Sequence, residues 1–189
     1  MRPAWALPRC TGTFPPGWSY GGLIASETAT RRQDVRSLGL YEPVSGPFAE
    51  HVTPAIRDAA QDADLDRLVE IVNIEIAGYD HDHVRSLRES PIWDHLRLLA
   101  QALPAEHTAL NAFTPHYERY RGLQIPVDIL AGTLSAAAGG VYAEAVDRFV
   151  SAMPHARLTW MEGLSHLAHV EAPAVLAAHL HAIHERGGR

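Results

Sequence analysis

The chain has 189 residues, 47% of them hydrophobic and 20% charged, with a formal net charge of −6 when histidines are neutral, the balance of a soluble globular protein with a sizeable core. The 16 Lys and Arg residues are scattered, which disfavours nucleic-acid and anionic-membrane partners, and no run approaches the roughly 18 apolar residues of a membrane span. The single cysteine, Cys10, has no internal disulfide partner, which fits a reducing compartment and gives the cytoplasm as the expected location.

Residues 1–16, MRPAWALPRCTGTFPP, hold four prolines and no alternating pattern, and read as irregular. Gly17-Trp18-Ser19-Tyr20-Gly21-Gly22 comes next, and the small and apolar residues after it suit a buried helix to about Arg31, a turn-to-helix signature. Val35 to Tyr41 is apolar enough for a strand, stopped at Glu42-Pro43 because proline has no N–H for the ladder. From Thr53 to about Ala77, apolar residues recur at helical spacing as one amphipathic helix or two. Asp80 and Ser90-Pro91 are placed to start two more helices, and Glu106 to Tyr120 reads as helical again. A helical block thus covers residues 53–120.

Beyond it the period changes. Ile125 to Gly132 is a β-type run ending in a glycine turn, Tyr142 to Met153 has helical spacing, Ala156 to Met161 alternates as a strand, and Glu162 to His166 is a turn. A final amphipathic helix begins at Ala172-Pro173 and runs through Ile183. Strand, helix, strand, helix implies a parallel α/β sheet.

Gly17-Trp18-Ser19-Tyr20-Gly21 fits G-x-S-x-G, in which glycines let strand and helix approach closely while a strained serine exposes its Oγ. The Tyr20 N–H would then be one oxyanion donor, beside the positive end of the following helix. An equally open reading of the five residues is a plain glycine-rich turn. His166 lies between the last strand and the last helix, where α/β sheets place functional groups. By itself it would be a surface-loop histidine; its position after an early elbow serine follows the Ser…acid…His order of one fold.

With these motifs in order, the run from Gly17 to Ile183 resembles the α/β-hydrolase superfamily. GWSYGG resembles the nucleophile elbow, SLGLYEP the next strand, residues 53–120 an inserted helical cap, IPVDILAG the penultimate strand and GLSHLAHVEAP the histidine loop. The resemblance implies a partial α/β-hydrolase fold with a core of residues 17–52 and 121–189. It also implies a serine hydrolase acting on a small ester, amide or related acyl substrate, with Ser19 as nucleophile, His166 as general base and no cofactor.

The chain departs from the family pattern in two respects. No carboxylate follows Gly132, where Thr133-Leu134-Ser135 stands. Some members carry the acid after the strand that follows the elbow, which makes Glu42 the candidate, its other reading being a polar strand-end residue; Asp128, within a strand, and Glu162, close to His166 in sequence, rank lower. Secondly, the strands that precede the elbow have no counterpart, so a truncated start is expected, with an oligomer or partner covering the exposed sheet edge. The alternative function is therefore a non-catalytic hydrolase remnant or interaction module. Asp80-His81-Asp82-His83 is not read as a metal site, because adjacent residues do not share a helix face. His179, His181 and His184 read as a solvated face. Trp93, Phe113, Tyr117 and Tyr120 are candidates for an acyl or aromatic pocket, with packing between cap and core as their ordinary use.

Overall fold

The computed structural model describes residues 16–137 and 140–187, so Cys10 and all of the irregular N-terminal reading except Pro16 lie outside the described residues. Gly17–Trp18 (β1) leads into helix Tyr20–Ala29 (α1), which crosses to Leu38–Tyr41 (β2). All four β2 residues are buried, as expected of a strand covered on both faces of a parallel sheet.

The described residues form two compact units, residues 45–114 in one and the described residues before and after them in the other. The 45–114 unit is helical, with Thr53–Gln61 (α2), Leu65–Glu70 (α3), His81–Arg88 (α4), Ile92–Ala100 (α5) and Leu103–Ala112 (α6). Between α3 and α4, residues Ile71–Ile76 widen into a π-helix, and the Asn73 amide donates back to the Val69 carbonyl at 2.8 Å. Val52, Ile56, Leu68, Val69, Ile71 and Leu110 are buried. Asp66 accepts the Trp93 indole N–H at 2.9 Å and forms an ion pair with the Arg97 guanidinium at 2.9 Å, so Trp93 has a structural partner within this unit.

In the other unit, Tyr117–Arg121 (α7) precedes Val127–Gly132 (β3), Thr133–Ala137 (α8), Val141–Ala152 (α9), Arg157–Met161 (β4), Ala168–Glu171 (α10) and Pro173–Gly187 (α11). The sheet order is β1-β2-β3-β4, parallel throughout, with Trp18 opposite Tyr41, Tyr41 opposite Leu130 and Gly132 opposite Met161. This is the expected parallel α/β sheet with flanking helices. Tyr41, Leu130, Met161, Ala168, Leu176 and Ile183 form a buried cluster of strand and helix side chains.

Several boundaries differ from the sequence reading, each for a local reason. The second strand begins at Leu38, Val35 making only an isolated bridge. The helix expected over residues 106–120 is two helices: Phe113 leaves the first as extended backbone, and Pro115 has no N–H with which to continue it. The glycine turn expected after β3 is absent: Gly132 is the last strand residue and α8 starts at once. A Cβ at Gly132 would lie 2.1 Å from the Leu164 carbonyl oxygen, so glycine serves there to admit the histidine loop against the strand.

Candidate functional site

The carboxyl ends of β1, β2 and β4 carry Ser19, Glu42 and the His166 loop, the edge of an open α/β sheet where functional groups gather. Ser19 has φ 53° and ψ −127°, outside the regions that side-chain-bearing residues favour. Gly17 permits the sharp strand-to-helix turn: a Cβ there would meet the Gly21 carbonyl oxygen at 2.6 Å. The Ser19 N–H donates to the Tyr41 carbonyl at 3.0 Å, while its own carbonyl accepts from the N–H groups of Gly22 at 2.9 Å and Val44 at 3.2 Å. The serine backbone is thus fixed against the chain on either side of Glu42. Tyr20 is the first residue of α1, where helix geometry leaves N–H groups without intrahelical acceptors.

Glu42 is 1% exposed and also has a left-handed backbone, φ 40°. Its N–H continues the ladder to the Leu130 carbonyl at 2.9 Å. A buried carboxylate needs donors around it, and three converge. Oε1 accepts the Gly132 N–H at 2.8 Å; Oε2 accepts the Ser135 hydroxyl at 3.1 Å and pairs with His166 Nδ1 at 2.8 Å. Because an ionised carboxylate only accepts, this contact sets the neutral imidazole with its proton on Nδ1 and its lone pair on Nε2.

His166 is 7% exposed. The Tyr142 ring stacks on it with centroids 4.0 Å apart. Its carbonyl accepts the Trp18 indole N–H at 3.1 Å, and Trp18 lies against His169 with centroids 4.1 Å apart. Burial, reinforced by the neighbouring His166 and opposed by Glu171, holds the His169 imidazole below the usual histidine range. The Tyr41 hydroxyl donates to the Ser165 carbonyl and accepts the Ala168 N–H at 2.8 Å.

Glu42 and His166 are therefore brought together. Ser19 is joined to the same edge through its backbone and through its neighbour Trp18. The lower-ranked acids are elsewhere: Asp128 pairs with Arg186 at 2.6 Å, and Glu162 is exposed. Tyr120 is fully buried and donates to Glu27 at 2.7 Å. Asp80 caps α4 by accepting the His83 N–H, and among the described residues no group of three His, Cys, Asp or Glu could hold a metal ion. No helix among them is long and apolar enough to cross a membrane. Sequence reasoning missed the parts played by Trp18, Tyr41, Gly132, Ser135 and Tyr142. Adjacency to Ser19 and Glu42 was the available signal for the first two; the rest depend on tertiary approach.

Residues 17–179 match the model of a family described as the alpha/beta hydrolase family. No curated protein matches the chain. Among solved structures, an alpha/beta hydrolase from Sphaerobacter thermophilus is 19% identical with TM-score 0.69, over 91% of this chain and 68% of that one. The enol-lactonase of Burkholderia xenovorans is 17% identical with TM-score 0.65, over 89% and 64%. An esterase from a Rhodococcus species is 20% identical with TM-score 0.63, over 88% and 62%. At such identities the likeness is one of fold, and the chain spans about two thirds of the length of these structures.

Proposed function

Because the chain belongs to the alpha/beta hydrolase family, we propose that it is a serine hydrolase acting on a small ester, amide or related acyl substrate. The observation that carries this reading is the buried 2.8 Å contact between Glu42 and His166 Nδ1, made across 124 positions of sequence at the sheet edge that also holds the strained Ser19. A buried carboxylate on Nδ1 is what a general-base histidine requires, since it leaves Nε2 to take a proton.

In this mechanism the Ser19 Oγ attacks the substrate carbonyl as His166 Nε2 accepts its proton. Glu42 stays ionised and stabilises the imidazolium. The negative charge that develops on the carbonyl oxygen is met by the Tyr20 N–H at the start of α1. His166 then protonates the leaving group, an acyl group remains on Ser19, and water activated by the same imidazole releases it. These steps require no cofactor. Residues 45–114 correspond in this reading to the inserted helical segment of such enzymes.

The test is hydrolysis of p-nitrophenyl esters together with labelling by a fluorophosphonate probe. Both are expected for the purified chain and both should vanish in Ser19→Ala. A wild-type chain that does neither would refute the activity. That result would favour a second reading, a non-catalytic remnant or interaction module.

A further inference from the structure

The backbone of the histidine loop is held by two side chains that the proposed chemistry does not use. Trp18 and Tyr41 face each other as partners in the β1–β2 register, and each precedes a proposed catalytic residue, Ser19 in one case and Glu42 in the other. Trp18 donates its indole N–H to the His166 carbonyl at 3.1 Å. Tyr41, 2% exposed, donates to the Ser165 carbonyl and accepts from the Ala168 N–H at 2.8 Å. Polar groups at three of four consecutive positions, 165, 166 and 168, are thereby satisfied from the sheet.

Both rings also approach the imidazole, with centroids 5.2 Å away for Trp18 and 6.2 Å for Tyr41. The imidazole itself also meets Glu42 and Tyr142, and the start of the loop is joined to α8 by the Leu134 N–H to the Leu164 carbonyl at 3.0 Å and the Gly163 N–H to the Thr133 hydroxyl at 2.9 Å. The Ser165 hydroxyl interacts with the loop's own Leu167 N–H and Glu171. Backbone bonds tie Ala168 to Ser165 and Val170 to Leu167, so they shape the loop without attaching it to β1 or β2.

We propose that Trp18 and Tyr41 are positioning residues, a two-point clamp that keeps the His166 imidazole in register with Glu42 and its loop tied to the strands that lead into Ser19 and Glu42. A catalytic group that drifts by about 1 Å can lose much of its rate, so tying the loop to the strands that carry its two partners moves all three as one body. The catalytic consequence rests on the serine-hydrolase reading; the holding of the loop does not.

The test uses the full chain with Trp18→Phe and Tyr41→Phe, each of which keeps an aromatic ring and removes the hydrogen-bonding group. Exchange of the backbone amides from Leu164 to Ala168 should become about tenfold faster than in the wild type, as expected for loss of a hydrogen bond, while β2 and β3 amides stay protected. On p-nitrophenyl acetate, kcat should fall about tenfold with KM nearly constant, the signature of a misplaced catalytic group rather than a damaged binding surface. The half-exposed Trp18 provides the variant if Tyr41→Phe does not fold. Wild-type exchange in the loop of the folded variants would overturn the proposal, as would faster exchange with kcat unchanged. An unreactive wild type would refute the hydrolase reading, and the loop exchange alone would then decide whether the clamp exists.

Discussion

Glu42 combines two costs that an ordinary strand-end residue would avoid: a left-handed backbone and a carboxylate buried to 1% exposure. A non-glycine residue in that conformation costs on the order of 1–3 kcal/mol, so surrounding contacts must outweigh it, and the Gly132 N–H, the Ser135 hydroxyl and His166 supply them. Glu42→Gln separates holding from chemistry. The amide can still accept from Gly132, so the fold should persist, but it cannot stabilise an imidazolium and can offer N–H to Nδ1 in the wrong tautomer. A fall of about 10³–10⁴ in kcat is expected, by analogy with triads whose carboxylate becomes an amide, with far-UV circular dichroism unchanged. A variant retaining near-wild-type esterase activity would remove Glu42 from the mechanism. The position of this acid was legible from its place after the strand following Ser19. Its donors were not: Ser135 was visible only as the residue standing where a carboxylate was sought.

At the scale of elements, α1 does more than begin at Ser19. Glu27, on its buried side, binds the segment that enters β3: its carboxylate accepts the Tyr120 hydroxyl at 2.7 Å and the His116 N–H at 3.2 Å, and pairs with Arg31 at 3.0 Å. Burial pushes the Glu27 carboxyl up, but the Tyr120 and His116 hydrogen bonds and the His116 charge outweigh it and hold the group below its ordinary 4.5. Burial, then the Glu27 carboxylate, raises the Tyr120 phenol far above its own ordinary range. A carboxyl depressed by folding stabilises the native state above its unfolded pKa, and that contribution disappears as pH falls through the folded value. Glu27→Gln should therefore lower the stability by about 1–3 kcal/mol at neutral pH, and the gap from wild type should close below about pH 4. Thermal melts of both proteins across that range measure it; a gap independent of pH would remove the charge from the account. None of this anchor was readable beforehand, because Glu27 and Tyr120 are 93 positions apart. Periodicity did find α1 and the helical stretch ahead of β3, and erred where Pro115 divides residues 106–120 into two helices.

For the molecule as a whole, the two units differ in how far apart in sequence their contacts lie. Sheet pairing joins Leu38 to Val127 and Tyr41 to Leu130, contacts that close long loops and form late. The 45–114 unit is built from neighbouring helices around its own buried residues, with Asp66 holding Trp93 and Arg97, and Arg88 reaching Glu70 at 2.7 Å. Exposed ion pairs contribute little individually, whereas the apolar core and the buried indole bonded to Asp66 specify one packing. This contrast explains what sequence could supply. Helical periodicity revealed the block because its order is local, and the strands because their apolar runs stand out. The pairing of Glu42 with His166 followed only from motif order, since the two residues meet across 124 positions of sequence. The same contrast predicts that residues 45–114, excised and expressed alone, will give a helical circular dichroism spectrum and a cooperative thermal transition. Asp66→Ala should lower the midpoint of that transition by several degrees, about 1–2 kcal/mol for a buried donor left without its acceptor. A non-cooperative melt of the excised segment would mean that its order depends on the sheet-bearing unit, and that the local contacts within it are insufficient.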